Sequence, residues 1–147
     1  RLSFMVLPHA LIGRYRAMHA ACSVPGFDQE TLRKFIAGGY LERHVARMRV
    51  VYRARLALLE KKAAELSLGE VAPCGAGLYA LLKADGKTPP QELVLLAAQS
   101  GVRLTRLCDY GVMQPDKDSE RVVLLGFAGM DENGIEQGLA ALKKAWM

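Results

Sequence analysis

The chain has 147 residues, 51% hydrophobic and 24% charged, and its 20 lysines and arginines against 15 aspartates and glutamates give a net charge of +5. This length is typical of one domain whose core needs no disulfide or metal. The apolar fraction excludes intrinsic disorder, and no stretch reaches the roughly 18 apolar residues that cross a bilayer. Cys22, Cys74 and Cys108 lack disulfide or zinc-site spacing, so we predict a soluble, cytoplasmic protein with reduced thiols.

The first residues predict a buried strand followed by a helix. Residues 2–7 are almost all apolar, and Pro8, which cannot extend a strand ladder, closes the run. Apolar positions then recur at helical spacing from His9 to about Cys22. Because Arg1 stands in place of Met directly before the apolar run, we interpret the chain as the C-terminal piece of a longer protein.

Two further helices are predicted before residue 67. Asp28 is the expected N-cap of the first, which ends at the glycine pair Gly38-Gly39. The second extends from about residue 41 to 66, where apolar residues repeat at steps of three and four over about 39 Å. So small a domain can bury only part of the apolar stripe of this helix. The rest of the stripe is expected to contact another layer or subunit.

After a linker at residues 67–75, the pattern changes to that of a compact α/β domain. Strands are predicted at residues 76–82, 102–107 and 122–127. Thr88-Pro89-Pro90 is expected to cap and begin a helix between the first two strands, and Asp131 is expected to cap the final helix. The resulting β-α-β-β-α order favours a small sheet covered on one face by helices.

The sequence contains no self-contained set of catalytic or metal-binding residues. His9, His19 and His44 lie on separate elements, and neither Cys74 nor Cys108 has a base nearby in the sequence. Residues 75–77 (GAG) precede a strand rather than a helix, so they lack the arrangement that binds a phosphate. A bend beside a packed layer explains these glycines better.

The stretch from Arg43 to Arg55 is basic and has two interpretations. One is a nucleic-acid surface, because clustered guanidinium groups neutralise phosphates. The other is a solvated helix face with local ion pairs. We favour the second, since the only aromatic residue among these arginines is Tyr52, which falls on the apolar stripe.

Four motifs together resemble the C-terminal part of the MocR/GabR-type transcriptional regulators. They are RLSFMVLP at residues 1–8, FDQ at residues 27–29, LERH with RMR and Tyr52 within residues 41–52, and LLGFAG at residues 124–129. Those proteins join a GntR-type winged helix-turn-helix to a domain resembling the fold-type I pyridoxal-phosphate aminotransferases. The resemblance covers nearly the whole chain and implies the small-domain end of that fold. It implies three parts: residues 1–27 as the end of the large cofactor domain, residues 28–66 as interdomain helices, and residues 67–147 as the small α/β domain.

The resemblance also implies that the cofactor-binding parts are incomplete in this chain. The winged helix, most of the large domain and the lysine that binds pyridoxal phosphate would all precede Arg1, which itself resembles the arginine that binds the cofactor phosphate. Aminotransferases carry an arginine for the substrate carboxylate in the strand before the final helix, but here Leu124 lies near that position. Arg106 and Arg121 are the nearest alternatives. This departure puts ordinary α-amino-acid transamination in doubt and favours a sensor.

The function implied by the resemblance is therefore that of a homodimeric regulator. It would sense an amino-group effector through pyridoxal phosphate and bind DNA through its missing domain, with no association with a membrane. The chain by itself is expected to be catalytically incomplete and to bind no cofactor. The alternative is a truncated pyridoxal-phosphate-dependent aminotransferase, and a stand-alone β-α-β-β-α interaction module is a third possibility.

Overall fold

The computed structural model describes residues 3, 5–18, 24–73, 78–110 and 119–147, and this part of the chain has an α/β architecture, as predicted. Its α-helices are α1 His9–Met18, α2 Gly26–Ala37, α3 Tyr40–Glu65, α4 Pro90–Gln99 and α5 Glu132–Trp146. Its strands are β1 Gly69–Pro73, β2 Tyr79–Ala84, β3 Thr105–Arg106 and β4 Val122–Gly126. Short 3-10 helices occupy Leu107–Tyr110 and Ser119–Arg121. None of the helices in the described residues is long and apolar enough to cross a bilayer.

The chain divides into two units, residues 1–46 and residues 47–147. In the first unit, residues 3 and 5–8 have no regular secondary structure, and Met5 and Val6 are 66% and 84% exposed. The predicted buried strand is therefore wrong at these positions, because an apolar run forms a strand only beside another strand that pairs with its backbone groups. Residues 1, 2, 4 and 19–23, and with them the predicted end of the first helix, lie outside the described residues.

Helix α2 begins earlier than predicted, and α3 has the predicted length. Asp28 is not the N-cap, because the helix already begins at Gly26 without a side-chain cap, and Asp28 lies in its first turn. In the first turn, the Asp28 carboxylate still stabilises the helix by interacting with the positive end of the helix dipole. The predicted end at Gly38-Gly39 is confirmed, with Gly39 at a φ of +67°. Helix α3 has 26 residues, of which Leu59 and Ala63 are buried.

The second unit is built on a four-stranded sheet with the order β1-β2-β4-β3, in which every neighbouring pair is antiparallel. The alternate residues of β2 and β4 that face the helices are buried and lie opposite one another, Ala80 with Leu125 and Leu82 with Val123. Helix side chains complete this core: Leu59 of α3, Leu93 and Ala97 of α4, and Ile135, Leu139, Leu142 and Trp146 of α5. The prediction of a sheet covered on one face by helices is confirmed.

The predicted linker at residues 67–75 is wrong, because it contains the edge strand β1. The chain leaves α3 through Ser67, which has a φ of 52°, buries Leu68, and begins β1 at Gly69 with a φ of +135°. Asp85 donates its backbone N–H to the Leu68 carbonyl and holds this corner to the end of β2. Pairing with β2, which lies further along the chain, thus makes residues 69–73 a strand.

Two predicted strands have other boundaries in the structure. The strand predicted at residues 76–82 is β2, which extends to Ala84, and residues 76 and 77 lie outside the described residues. The strand predicted at residues 102–107 shortens to the two residues of β3, because the chain turns there into a 3-10 helix. The prediction that Thr88-Pro89-Pro90 caps and begins α4 is confirmed, with Pro89 at the N-cap and Pro90 as the first helical residue. The Thr88 hydroxyl donates to the Trp146 carbonyl at 2.7 Å. The predicted cap of α5 is confirmed, since the Asp131 carboxylate accepts a 2.8 Å hydrogen bond from the Gly134 N–H.

Replacing Gly69 with alanine is expected to destabilise the second unit strongly. A Cβ at this position would clash with the Lys83 carbonyl and lie 2.9 Å from the Asp85 nitrogen, in a left-handed backbone conformation. The matched control is Gly101→Ala, where φ is +81° and a Cβ would meet no neighbour. In urea denaturation we expect a loss of about 1 kcal/mol for G101A and about 3 kcal/mol for G69A. Equal losses of unfolding free energy in the two variants would show that the clash at Gly69 does not contribute to the destabilisation.

Candidate functional site

The face of the sheet opposite the helices, which we call the open face, is partly accessible in the second unit. Its residues alternate with the buried ones along each strand: Glu70 and Ala72 of β1, Tyr79, Leu81 and Lys83 of β2, Val122, Leu124 and Gly126 of β4, and Thr105 of β3. Period-two alternation places them together because successive strand side chains point to opposite faces. The same strands thus build both the core and this face.

Leu124 lies at the centre of the open face. The register aligns Ala72, Leu81, Leu124 and Thr105 in one row across all four strands. Leu81 and Leu124 are half-buried, whereas Ala72 and Thr105 at the two ends of the row are exposed. Of the described residues, the row therefore presents an apolar centre with no charged member.

The rows on either side of Leu124 differ in character. In one, Tyr79 lies opposite Gly126, and a Cβ on that glycine would be 3.3 Å from the tyrosine ring. The missing side chain at Gly126 therefore leaves room for the ring, which stays 52% exposed. In the other row, Lys83 lies opposite both Glu70 and Val122. Lys83 therefore lies at one end of the face, with Glu70 as its cross-strand neighbour.

The guanidinium of Arg121, one of the two predicted carboxylate-binding residues, donates to backbone carbonyls. Its Nε donates to Ala84 at 2.8 Å and its Nη1 to Thr88 at 2.8 Å. Its Nη2 donates to Asp85 at 3.2 Å and to Gly86 at 3.1 Å. Arg121 immediately precedes β4, so these four bonds fasten the beginning of that strand to the turn between β2 and α4.

Arg106, the other predicted carboxylate-binding residue, pairs with a carboxylate of the chain. Its Cα lies opposite Val123, which places it on the helix-covered face at the edge of the sheet. Its Nη2 and Nε donate to the two Asp109 carboxylate oxygens at 2.8 and 3.3 Å. This hydrogen bond lowers the pKa of Asp109 and raises the pKa of Arg106. The structure thus brings both arginines to one end of the sheet, with separate partners, while Arg1 lies outside the described residues.

Two cavities in the described part of the second unit differ in size and in lining. None of the described lysines is buried. The cavity between β4 and α5 has a volume of about 50 Å³, and Arg103 is the charged residue in its mostly apolar lining. A larger groove of about 570 Å³ runs between α3 and the beginning of α5, and its lining includes Arg55 as well as the acidic residues Asp131 and Glu132. The lining of this groove therefore carries charges of both signs. Three or more His, Cys, Asp or Glu side chains that could hold a metal ion do not converge anywhere in the described ranges.

Sequence analysis missed the role of the corner where β2 leads into α4. Besides the four Arg121 bonds, this corner is held by the Thr88 bond to Trp146, and the Trp146 indole donates to the Leu93 carbonyl at 3.0 Å. The only sequence signal was the glycine-containing turn at residues 85–88, which marks a bend without indicating its partners. These contacts join the ends of α4, α5 and β4.

Replacing Arg121 with alanine is expected to cost about 3 kcal/mol of unfolding free energy, because four carbonyls lose a charged donor. The matched control is Arg106→Ala, which breaks a surface ion pair and is expected to cost less than about 1 kcal/mol. Chemical denaturation monitored by circular dichroism measures both values. If R121A unfolds at the same denaturant concentration as the unsubstituted chain, the carbonyl contacts are not structural and the residue is free for a ligand.

The Arg106–Asp109 pair is expected to stabilise the fold at neutral pH and to lose this effect in acid. Because the folded-state pKa of Asp109 lies below its ordinary value of 3.8, the stabilisation is fully present above that value and disappears as pH falls through the lower folded-state pKa. Asp109→Asn should therefore cost less than about 1 kcal/mol at pH 7 and progressively less below about pH 4. The same substitution in an Arg106→Gln background should show no such pH dependence. A pH-independent cost in both backgrounds would contradict the assignment.

Comparison with known proteins finds no matching family model but several curated relatives. The chain is 32% identical over 152 residues to the uncharacterized HTH-type transcriptional regulator YdeL of Bacillus subtilis. It is 33% identical over 150 residues to the uncharacterized HTH-type transcriptional regulator YhdI of the same species. Each match covers 99% of the chain. It is 28% identical, over 83% of its length, to the HTH-type pyridoxine biosynthesis transcriptional regulator PdxR of Corynebacterium glutamicum. The chain spans about a third of the length of the first two relatives, 32% and 31%.

Proposed function

We propose that the chain is the small-domain part of an effector-sensing regulator of the MocR/GabR type, a proposal supported by its similarity to HTH-type transcriptional regulators over nearly its whole length. The DNA-binding winged helix and the large cofactor domain of that regulator would be supplied by polypeptide outside these residues. In this proposal the helices of residues 28–66 join the two domains, and residues 67–147 form the lobe that moves.

The observation that carries the proposal is the partly accessible apolar centre of the open face. Leu81 and Leu124 are only half-buried, although they belong to the two central strands of the sheet. Removing apolar surface from water is favourable by roughly 25 cal/mol per Å². A ligand or domain that covers these leucines therefore stabilises the closed state of the lobe relative to the open state.

The proposed cofactor is pyridoxal phosphate, held mainly by residues that precede this chain. When bound, it supplies an aldehyde group that captures amines, and Arg1 would bind its phosphate through a guanidinium fork. The role of the described residues is to cover the effector with the open face and to exclude water from it. Arg106 and Arg121 stay candidates for an effector carboxylate only if they exchange their present partners.

Regulation in this proposal follows from a difference in affinity. An effector shifts an equilibrium between open and closed lobes only by as much as it binds one state better than the other. If the winged helices bind DNA differently in the two states, the effector and the operator become thermodynamically coupled. A homodimer would bring two such lobes and two winged helices together.

The proposal is tested by comparing this chain with the product of the complete reading frame. Equilibrium dialysis against pyridoxal phosphate should give one bound cofactor per polypeptide for the complete protein and no saturable binding for residues 1–147. Gel-shift titration with operator DNA should then respond to an amine only in the cofactor-loaded protein.

Two results would contradict this function. Saturable binding of one cofactor to a single lysine of residues 1–147 would show that the chain is self-sufficient. Steady amino transfer between an amino donor and a keto acid by the complete protein, without any effect of the donor on DNA binding, would support the truncated aminotransferase instead. A complete protein in which the cofactor-binding lysine is replaced by alanine serves as the control for both measurements.

A further inference from the structure

We propose that Leu124 makes the effector site select amines that carry no carboxylate and reject α-amino acids. The inference rests on the proposed function, since it concerns the effector covered by the open face. It narrows the amino-group effector that the resemblance implies to amines without a carboxylate. The residues that carry it are Leu124, its neighbours in the row, and the two arginines at the end of the sheet.

The first step is the absence of a suitable cation at the centre of the open face. Within the described residues, the row through Leu124 consists of Ala72, Leu81 and Thr105 besides Leu124 itself. A carboxylate covered by these side chains would lose its hydration without gaining a charged donor, which is strongly unfavourable. The cationic residue on a flanking row, Lys83, is placed directly opposite Glu70.

The second step is that the two nearby arginines are directed elsewhere. Every nitrogen of the Arg121 guanidinium donates to a backbone carbonyl of the β2–α4 turn. Arg106 lies opposite Val123 on the helix-covered face and binds Asp109 with two of its nitrogens. Neither guanidinium can reach a ligand on the open face without giving up these bonds. A carboxylate on the effector therefore has no donor ready for it from the described part of this lobe.

The third step is that the same surface suits an apolar group. Leu81 and Leu124 offer two adjacent aliphatic side chains that are still partly in contact with water. The exposed Tyr79 ring beside Gly126 adds a flat apolar wall on one flank. An alkyl or aryl end of an amine would remove all of these groups from water together, and each contact favours binding without a partner charge.

The experiment compares two probes that differ by one carboxylate, isoamylamine and L-leucine. Both are titrated into the complete, cofactor-loaded regulator by isothermal calorimetry, with DNA binding as the second readout. The unsubstituted protein should bind isoamylamine at least tenfold more tightly than L-leucine. Leu124→Arg should raise the affinity for L-leucine at least tenfold and lower that for isoamylamine, because it places a guanidinium at the centre of the row.

Matched variants separate specificity from general effects of charge or folding. Thr105→Arg introduces the same group at an exposed position in the same row and should shift the preference in the same direction, even if L124R folds poorly. Val122→Arg places it one row away on the same strand and should leave the preference within about threefold. Leu124→Met keeps the volume without charge and should retain the preference for the amine.

The possible failures are distinguishable. If the wild-type regulator binds L-leucine as tightly as isoamylamine, and neither L124R nor T105R changes the ratio, this inference is overturned while the proposed function stands. If the complete protein binds pyridoxal phosphate but no amine of either kind alters its calorimetric signal or its DNA binding, both fail. A preference for isoamylamine that V122R reverses as strongly as L124R would also overturn the assignment to Leu124.

Discussion

The antiparallel register between β2 and β4 is the constraint on which the rest of the second unit depends. It sets Ala80 opposite Leu125 and Leu82 opposite Val123 in the core, and it sets Leu81 opposite Leu124 on the open face. Because the side-chain period of a strand is two, a slip of one residue in either strand would exchange the two faces. The core would then lose its leucines and valine, and the candidate site would lose its centre. The stability of the second unit and the composition of the candidate site are therefore specified by the same two strands.

Local periodicity in the sequence was sufficient to predict the boundaries of an element where that element is long or strongly amphipathic. Helix α3, strand β4 and the Asp131 cap of α5 were predicted within a residue or two, since each depends on spacing that is visible in the chain itself. Strand β1 was missed because its five residues contain a glycine and a proline, and they become a strand only through pairing with β2. The buried strand predicted at residues 2–7 is wrong at residues 3 and 5–7 for the opposite reason, since the composition is suitable but these described residues pair with no other strand.

The candidate site shows the same division between what is local and what is not. The face on which Leu124 lies follows from alternation along β4, so its position was accessible from the sequence. The partners of Arg121 were not, because the carbonyls that it binds lie 33 to 37 residues earlier in the chain. The partner of Arg106 was easier to predict than those of Arg121, since its acceptor Asp109 is only three residues away. A residue type predicts which chemistry is possible, and long-range packing decides whether the group is already engaged.

A leucine at the centre of the open face also changes the energetics of covering it. An arginine there would need a carboxylate partner in the covered state, because a desolvated guanidinium without one is strongly destabilising. Closure would then depend on the charge of the ligand. Leu124 imposes no such requirement, so the covered state depends on the apolar area that the ligand fills together with Leu81 and Tyr79. In the proposed regulator, one substitution in β4 thus converts a lobe that recognises a charge into one that recognises shape. Such a lobe suits a sensor, since it can close on a ligand without holding the carboxylate in the orientation that amino transfer requires.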